Sequence, residues 1–114
     1  MSDKSQSDNA FPPSQAVALA SLVDYGEGAI VSRTLRKTKA GTMTVFAFDK
    51  GQALSEHSAP FDAYVQVLEG SVEVVIGGRP IEVSTGEMVL MPADIPHAVH
   101  AKQRFKMLLM MFKA

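Results

Sequence analysis

The sequence predicts an all-β domain, and three features carry that reading. From Ala29 onward, apolar residues fall in short runs with a period of two, the spacing that puts alternate side chains on one face of a strand. Turn residues separate the runs at Lys39-Ala40-Gly41, Asp49-Lys50-Gly51, Glu69-Gly70, Gly77-Gly78 and Thr85-Gly86. The adjacent pair Gly77-Gly78 is the sharpest of these signals, because a two-residue hairpin connection requires the positive φ angles that glycine adopts without steric cost.

Taken in order, residues 1–14 are polar and end in Pro12-Pro13 and Ser14, a composition too poor in apolar surface to offset the entropy of ordering, so a tail is expected. Residues 15–28 form an arm or short helix. Val17, Leu19, Ala20, Leu22 and Val23 run without a turn residue until Tyr25-Gly26-Glu27-Gly28 breaks them. The barrel-forming domain then occupies residues 29–114, with strands expected over 29–36, 42–48, 54–58, 63–68, 72–76, 79–83, 87–91, 97–101 and 105–112. The last of these, from Phe105 to Phe112, is apolar on both faces, which in a strand means burial on both sides. One face is expected to line a cavity with Met88, Met91, Met107, Met110 and Met111 as an adaptable lining, and the other to meet a second subunit in a homodimer.

Composition narrows the function classes. A chain of 114 residues holds one domain with a modest core. Its 11 Lys and Arg against 12 Asp and Glu, without a dense basic run, leave no electrostatic footprint for nucleic acid or an anionic membrane. There is no cysteine, which removes disulfides, thiolate metal sites and cysteine nucleophiles together. The first ten residues lack the basic start and apolar stretch of a secretory signal, and no apolar run approaches a bilayer span, so a cytoplasmic location is expected. No phosphate-binding Gly-Lys-Ser/Thr loop, nucleophile elbow or dinucleotide fingerprint is present.

Two segments carry more specific information. In the first, Gly51 is followed by His57, then by Pro60, Phe61 and Asp62, and the segment closes with Val67-Leu68-Glu69-Gly70. In the second, Gly86 leads through Pro92 to His97. Together they resemble the two signature motifs of the cupin family. The resemblance implies a cupin-type jelly-roll β-barrel of two antiparallel sheets over residues 32–112, with Gly51, Gly70 and Gly86 at sharp turns between strands.

Metal-binding cupins take two His and a Glu or Gln from the first motif and one His from the second. By that resemblance His57 and His97 match the first and last ligands, while the middle two positions are Ala59 and Ala63. A methyl group offers no lone pair, so the usual set is incomplete. Asp62 and Gln66 are weak candidates to complete it. Asp62 lies in the connection after Ala59, and Gln66 falls on the outward face of its strand unless a bulge shifts the register. Glu56 and His100 are turned away from the cavity by strand alternation, Asp94 reads as a turn former, and Ser55 and Ser58 are ordinary strand residues.

Two functions stay open at this point. One is a small barrel binding a small, partly apolar molecule in a pocket marked by His57 and His97, the histidines orienting it. The other is a metal-dependent cupin enzyme, a dioxygenase, isomerase or decarboxylase, with a divalent transition metal (Fe, Mn, Ni or Zn) held by His57 and His97. No catalytic residue is singled out for either. In a third reading the arm and the last strand serve as an interaction surface.

Overall fold

The computed structural model of the protein describes residues 11–113, and the tail expected over 1–14 lies mostly outside them. Among the described residues nine strands follow one short helical turn: β1 (Ile30–Thr38), β2 (Gly41–Phe48), β3 (Ala53–His57), β4 (Phe61–Glu69), β5 (Ser71–Ile76), β6 (Arg79–Ser84), β7 (Met88–Met91), β8 (His97–His100) and β9 (Phe105–Lys113). All nine expected strands are present, with ends that move by one or two residues. The strands form two antiparallel sheets, one ordered β1-β2-β9-β4-β7 and the other β3-β8-β5-β6. The β5–β6 hairpin turns through Gly77 and Gly78, whose φ angles of 57° and 82° are those a tight connection demands. No described helix is long and apolar enough to cross a membrane.

The core lies between the sheets. Alternation on β4 buries Ala63, Val65 and Val67, and the same period on β5 buries Val72 and Val74. Phe48 and Phe105 stack with ring centroids 4.7 Å apart, and both are fully buried with Met107 and Val99 beside them.

Strand β9 is buried on both faces because it occupies the centre of the five-stranded sheet. Its odd-numbered residues Phe105, Met107, Leu109 and Met111 belong to the inter-sheet core, whereas Leu108 and Met110 belong to a second cluster on the outer face. The sequence pattern leads to the expectation of a second subunit there. Over much of that face the cover is instead the chain's own arm: Phe11, Leu19, Leu22, Val23 and Tyr25 pack with Leu35, Val45, Ala47 and Leu108. Leu19–Leu22 is one 3-10 turn, whose threefold repeat brings Leu19 and Leu22 to the same side.

Polar contacts fix the arm in place. The Lys106 ammonium, mostly buried, donates to the Ala20 carbonyl at 2.7 Å and lies 5.0 Å from the centre of the Tyr25 ring. The Tyr25 hydroxyl donates to Glu69, and burial followed by this acceptor pushes its pKa well above the usual tyrosine value. Beside it Arg104 pairs with Asp49 at 2.8 Å, and the Asp49 carboxylate also accepts the Gly28 N–H. The Arg104 hydrogen bond leads in holding Asp49 down to about 2.

Beyond the arm the outer face is open. Met88, Leu90 and Phe112 are exposed, and Tyr64 meets Phe112 edge to face at 5.9 Å. The five methionines proposed as a lining therefore divide. Met91, Met107 and Met111 face inward, while Met88 and Met110 lie on the outer face.

Candidate functional site

His57 and His97 are directly paired across β3 and β8, and their rings meet at 4.5 Å with an interplanar angle of 72°. Two devices bring them together. First, the β3–β8 register shifts between Leu54 and His57, so both residues line the same cavity although they are three apart. Second, the turn preceding His97 is tied to the chain following His57. Asp62 Oδ1 accepts the Ala93 N–H at 2.9 Å, and the Asp94 N–H donates to the Ala59 carbonyl at 2.8 Å. Asp94 holds a φ of 67°, the left-handed conformation that aspartate tolerates better than most residues.

The cavity measures about 60 Å³ and is lined by Leu54, His57, Ala59, Ala63, Met91, His97, Val99, Met107, Leu109 and Met111. All four positions that the sequence aligned with a ligand set thus converge on one space: two imidazoles and two methyl groups. Asp62 is not in that lining; its carboxylate braces the Ala93 turn. Gln66 sits opposite Met88 and Leu108 on the outward side of β4, between inward Val65 and Val67, and is not part of the lining either. His100 is exposed and contacts Glu73 at 3.2 Å, which helps to lower that carboxyl's pKa.

Hydrogen bonding settles the tautomers. His57 Nδ1 lies 2.9 Å from the Ser55 carbonyl and His97 Nδ1 lies 3.2 Å from the Ile95 carbonyl. A carbonyl oxygen only accepts, so each Nδ1 carries the proton, and a neutral ring keeps its lone pair on Nε2. His97 is buried whereas His57 is exposed at the cavity mouth. Burial first, and then the proximity of His57, lower the pKa of His97, while the Ile95 carbonyl opposes them. The deeper ring is therefore held neutral, as an acceptor for a ligand O–H or N–H or as a metal donor.

The donor set does not fit the metal site of the metal-binding relatives. Among the described residues no group of three or more His, Asp or Glu is placed to hold an ion, and the remaining walls of the cavity are apolar side chains.

Next to this cavity is a second space of about 170 Å³, lined by Lys37, Thr38, Gly41, Thr42, Phe61, Met111 and Lys113. Met111 belongs to both linings. Sequence reasoning missed this part of the site because most of its residues lie outside the two motif segments. The usable signal was alternation on β9, which puts Lys113 on the same side as Met107 and Met111.

A barrel of two antiparallel sheets with paired inward histidines defines a small single-domain cupin, and the comparisons agree. Residues 44–112 match the family model described as a cupin domain, so the chain belongs to the cupin family. A conserved protein of unknown function from Streptococcus pyogenes is 36% identical, with 94% of each chain covered and a TM-score of 0.88. A cupin 2 conserved barrel domain protein from Leptotrichia buccalis is 44% identical over 82% of this chain and 46% of its own, with a TM-score of 0.80. A cupin superfamily protein from Desulfitobacterium hafniense is 26% identical over 90% of this chain and 94% of its own, at a TM-score of 0.85. Among curated proteins, nothing matches the chain.

Proposed function

We propose that this cupin binds a small, partly apolar molecule in the barrel, with His57 and His97 orienting it through their Nε2 lone pairs. One observation carries the reading: Ala59 and Ala63 present methyl groups to the cavity that both histidines line. Where a metal-binding relative converges donors, this chain leaves apolar walls and room. The lining of Leu54, Val99, Met107 and Leu109 favours an apolar body, and the two rings accept hydrogen bonds from its polar part.

Metal analysis of protein purified without chelator or nickel resin, joined to NMR-detected binding of a small-molecule panel, tests this. Ligand-induced shifts at Leu54, Val99 and Met107 that are lost in His57→Ala and His97→Ala support it. Stoichiometric Fe, Mn, Ni or Zn that disappears in the same two variants overturns it in favour of the metal-dependent enzyme.

We also infer that the open outer face formed by Tyr64, Met88, Leu90 and Phe112 pairs with a second copy, since the arm covers the rest of that sheet. Sedimentation should give twice the chain mass, and Phe112→Glu should halve it. A wild-type protein that sediments as a monomer at high concentration removes the pairing.

A further inference from the structure

The second space gives the ligand a chemical class, an inference that rests on the binding role proposed above. Its walls come from the inward face of the five-stranded sheet: Lys37 pairs with Thr42 across β1 and β2, Thr42 with Met111 across β2 and β9, and Phe61 with Lys113 across β4 and β9. Directly paired residues share a face, so two ammonium-bearing side chains flank one threonine beside the barrel mouth. Neither lysine has an ion-pair partner among the described residues, where the salt bridges are those of His100 and Lys102 with Glu73 and of Arg104 with Asp49.

Thr42 Oγ1 is buried, and it is the one such side-chain oxygen or nitrogen among the described residues that lacks a hydrogen-bond partner. A buried hydroxyl without a partner is costly, and such groups call for an explanation. No acidic residue lines this space. A rotation about the Thr42 Cα–Cβ bond would turn its hydroxyl out of the wall to donate to a negatively charged acceptor facing both lysines.

We propose that the ligand is a small organic carboxylate: its apolar body enters between the sheets past Met111 toward His57 and His97, and its carboxylate is held at the mouth by Lys37, Lys113 and Thr42. Met111 makes the two spaces neighbours, and at about 60 and 170 Å³ they suit a short molecule rather than a bulky one. The carboxylate is favoured over a phosphate dianion because the Thr38 hydroxyl is already engaged with the β1–β2 turn and only that of Thr42 lacks a partner, so a second negative charge would be dehydrated without enough donors.

Hexanoate and its neutral analogue hexanamide, titrated separately and followed by amide chemical shifts, provide the test. Hexanoate is expected to bind about tenfold more tightly than hexanamide, from two partly exposed charge pairs and one charge-assisted hydrogen bond. The double variant Lys37→Gln/Lys113→Gln should remove that preference while leaving hexanamide binding unchanged, and Lys37→Arg should retain it. Thr42→Val should weaken hexanoate severalfold while making the unliganded protein more stable, a combination that a purely structural threonine would not show. If both probes shift Leu54, Val99 and Met107 with equal affinity, the pocket stands and the carboxylate site is refuted. If neither probe shifts them, the carboxylate class and the binding role as framed for a short apolar body both fail.

Discussion

Two threonines on one hairpin should respond with opposite sign to the same substitution. Thr42 Oγ1 is buried and unpartnered, whereas four residues earlier Thr38 Oγ1 accepts the Ala40 N–H at 3.1 Å within the β1–β2 turn. Valine has nearly the shape of threonine and suits a strand, so replacement isolates the hydroxyl. At Thr42 it removes a desolvated group whose burial costs about 1–3 kcal/mol, and about 1 kcal/mol of added stability is expected after imperfect solvation in the unfolded chain is counted. At Thr38 it removes a hydrogen bond worth about 1 kcal/mol. For a domain of this size each change moves the melting temperature by about 4 °C, upward for Thr42→Val and downward for Thr38→Val. Thermal unfolding followed by circular dichroism, with urea midpoints as a check, measures both. A Thr42→Val protein destabilised as much as Thr38→Val would show that the Thr42 hydroxyl is bonded in solution, and the carboxylate site would lose its second support.

Two further outcomes follow from the core. Because burial and His57 depress the pKa of His97, the unfolded chain binds more protons at this position as the solution is acidified. The stabilisation from a neutral His97 is therefore fully present above the ordinary imidazole value of about 6.5 and is lost as pH falls through the lower folded value. Urea midpoints should decline over that window in the wild type and decline less in His97→Gln; parallel declines would refute the assignment. Gly41→Ala should be strongly destabilising, because an added Cβ would stand 2.1 Å from the Met111 carbonyl oxygen and force the β2–β9 ladder apart. A loss of about 3 kcal/mol or more in equilibrium unfolding is expected, and one below about 1 kcal/mol would show that the ladder yields easily.

The nine strands could be read from the chain because each is short, alternates, and is bounded by a turn residue, all properties of adjacent positions. His57 and His97 could be paired because family spacing identifies them. The bulge that turns Leu54 and His57 to one side could not be read, since a register shift depends on the partner strand. Asp62 illustrates the same limit. Its sequence neighbourhood suggested a donor near the histidines, yet its carboxylate is taken by Ala93, thirty-one positions away. On sequence alone the outer face of β9 is assigned to a second subunit, whereas the chain's own arm covers much of it, because an apolar face specifies only that something covers it.

By itself the sequence determined the all-strand architecture and the order of its strands and turns, because period and glycine geometry are local, and its resemblance to the cupin motifs marked the four inward positions. Only the folded chain decided which groups come together: two imidazoles and two methyl groups on one cavity, and beside them two lysines and an unsatisfied threonine hydroxyl. Those groups come from six strands and the β3–β4 connection, and their distances are set by register and sheet packing, which no run of adjacent residues encodes.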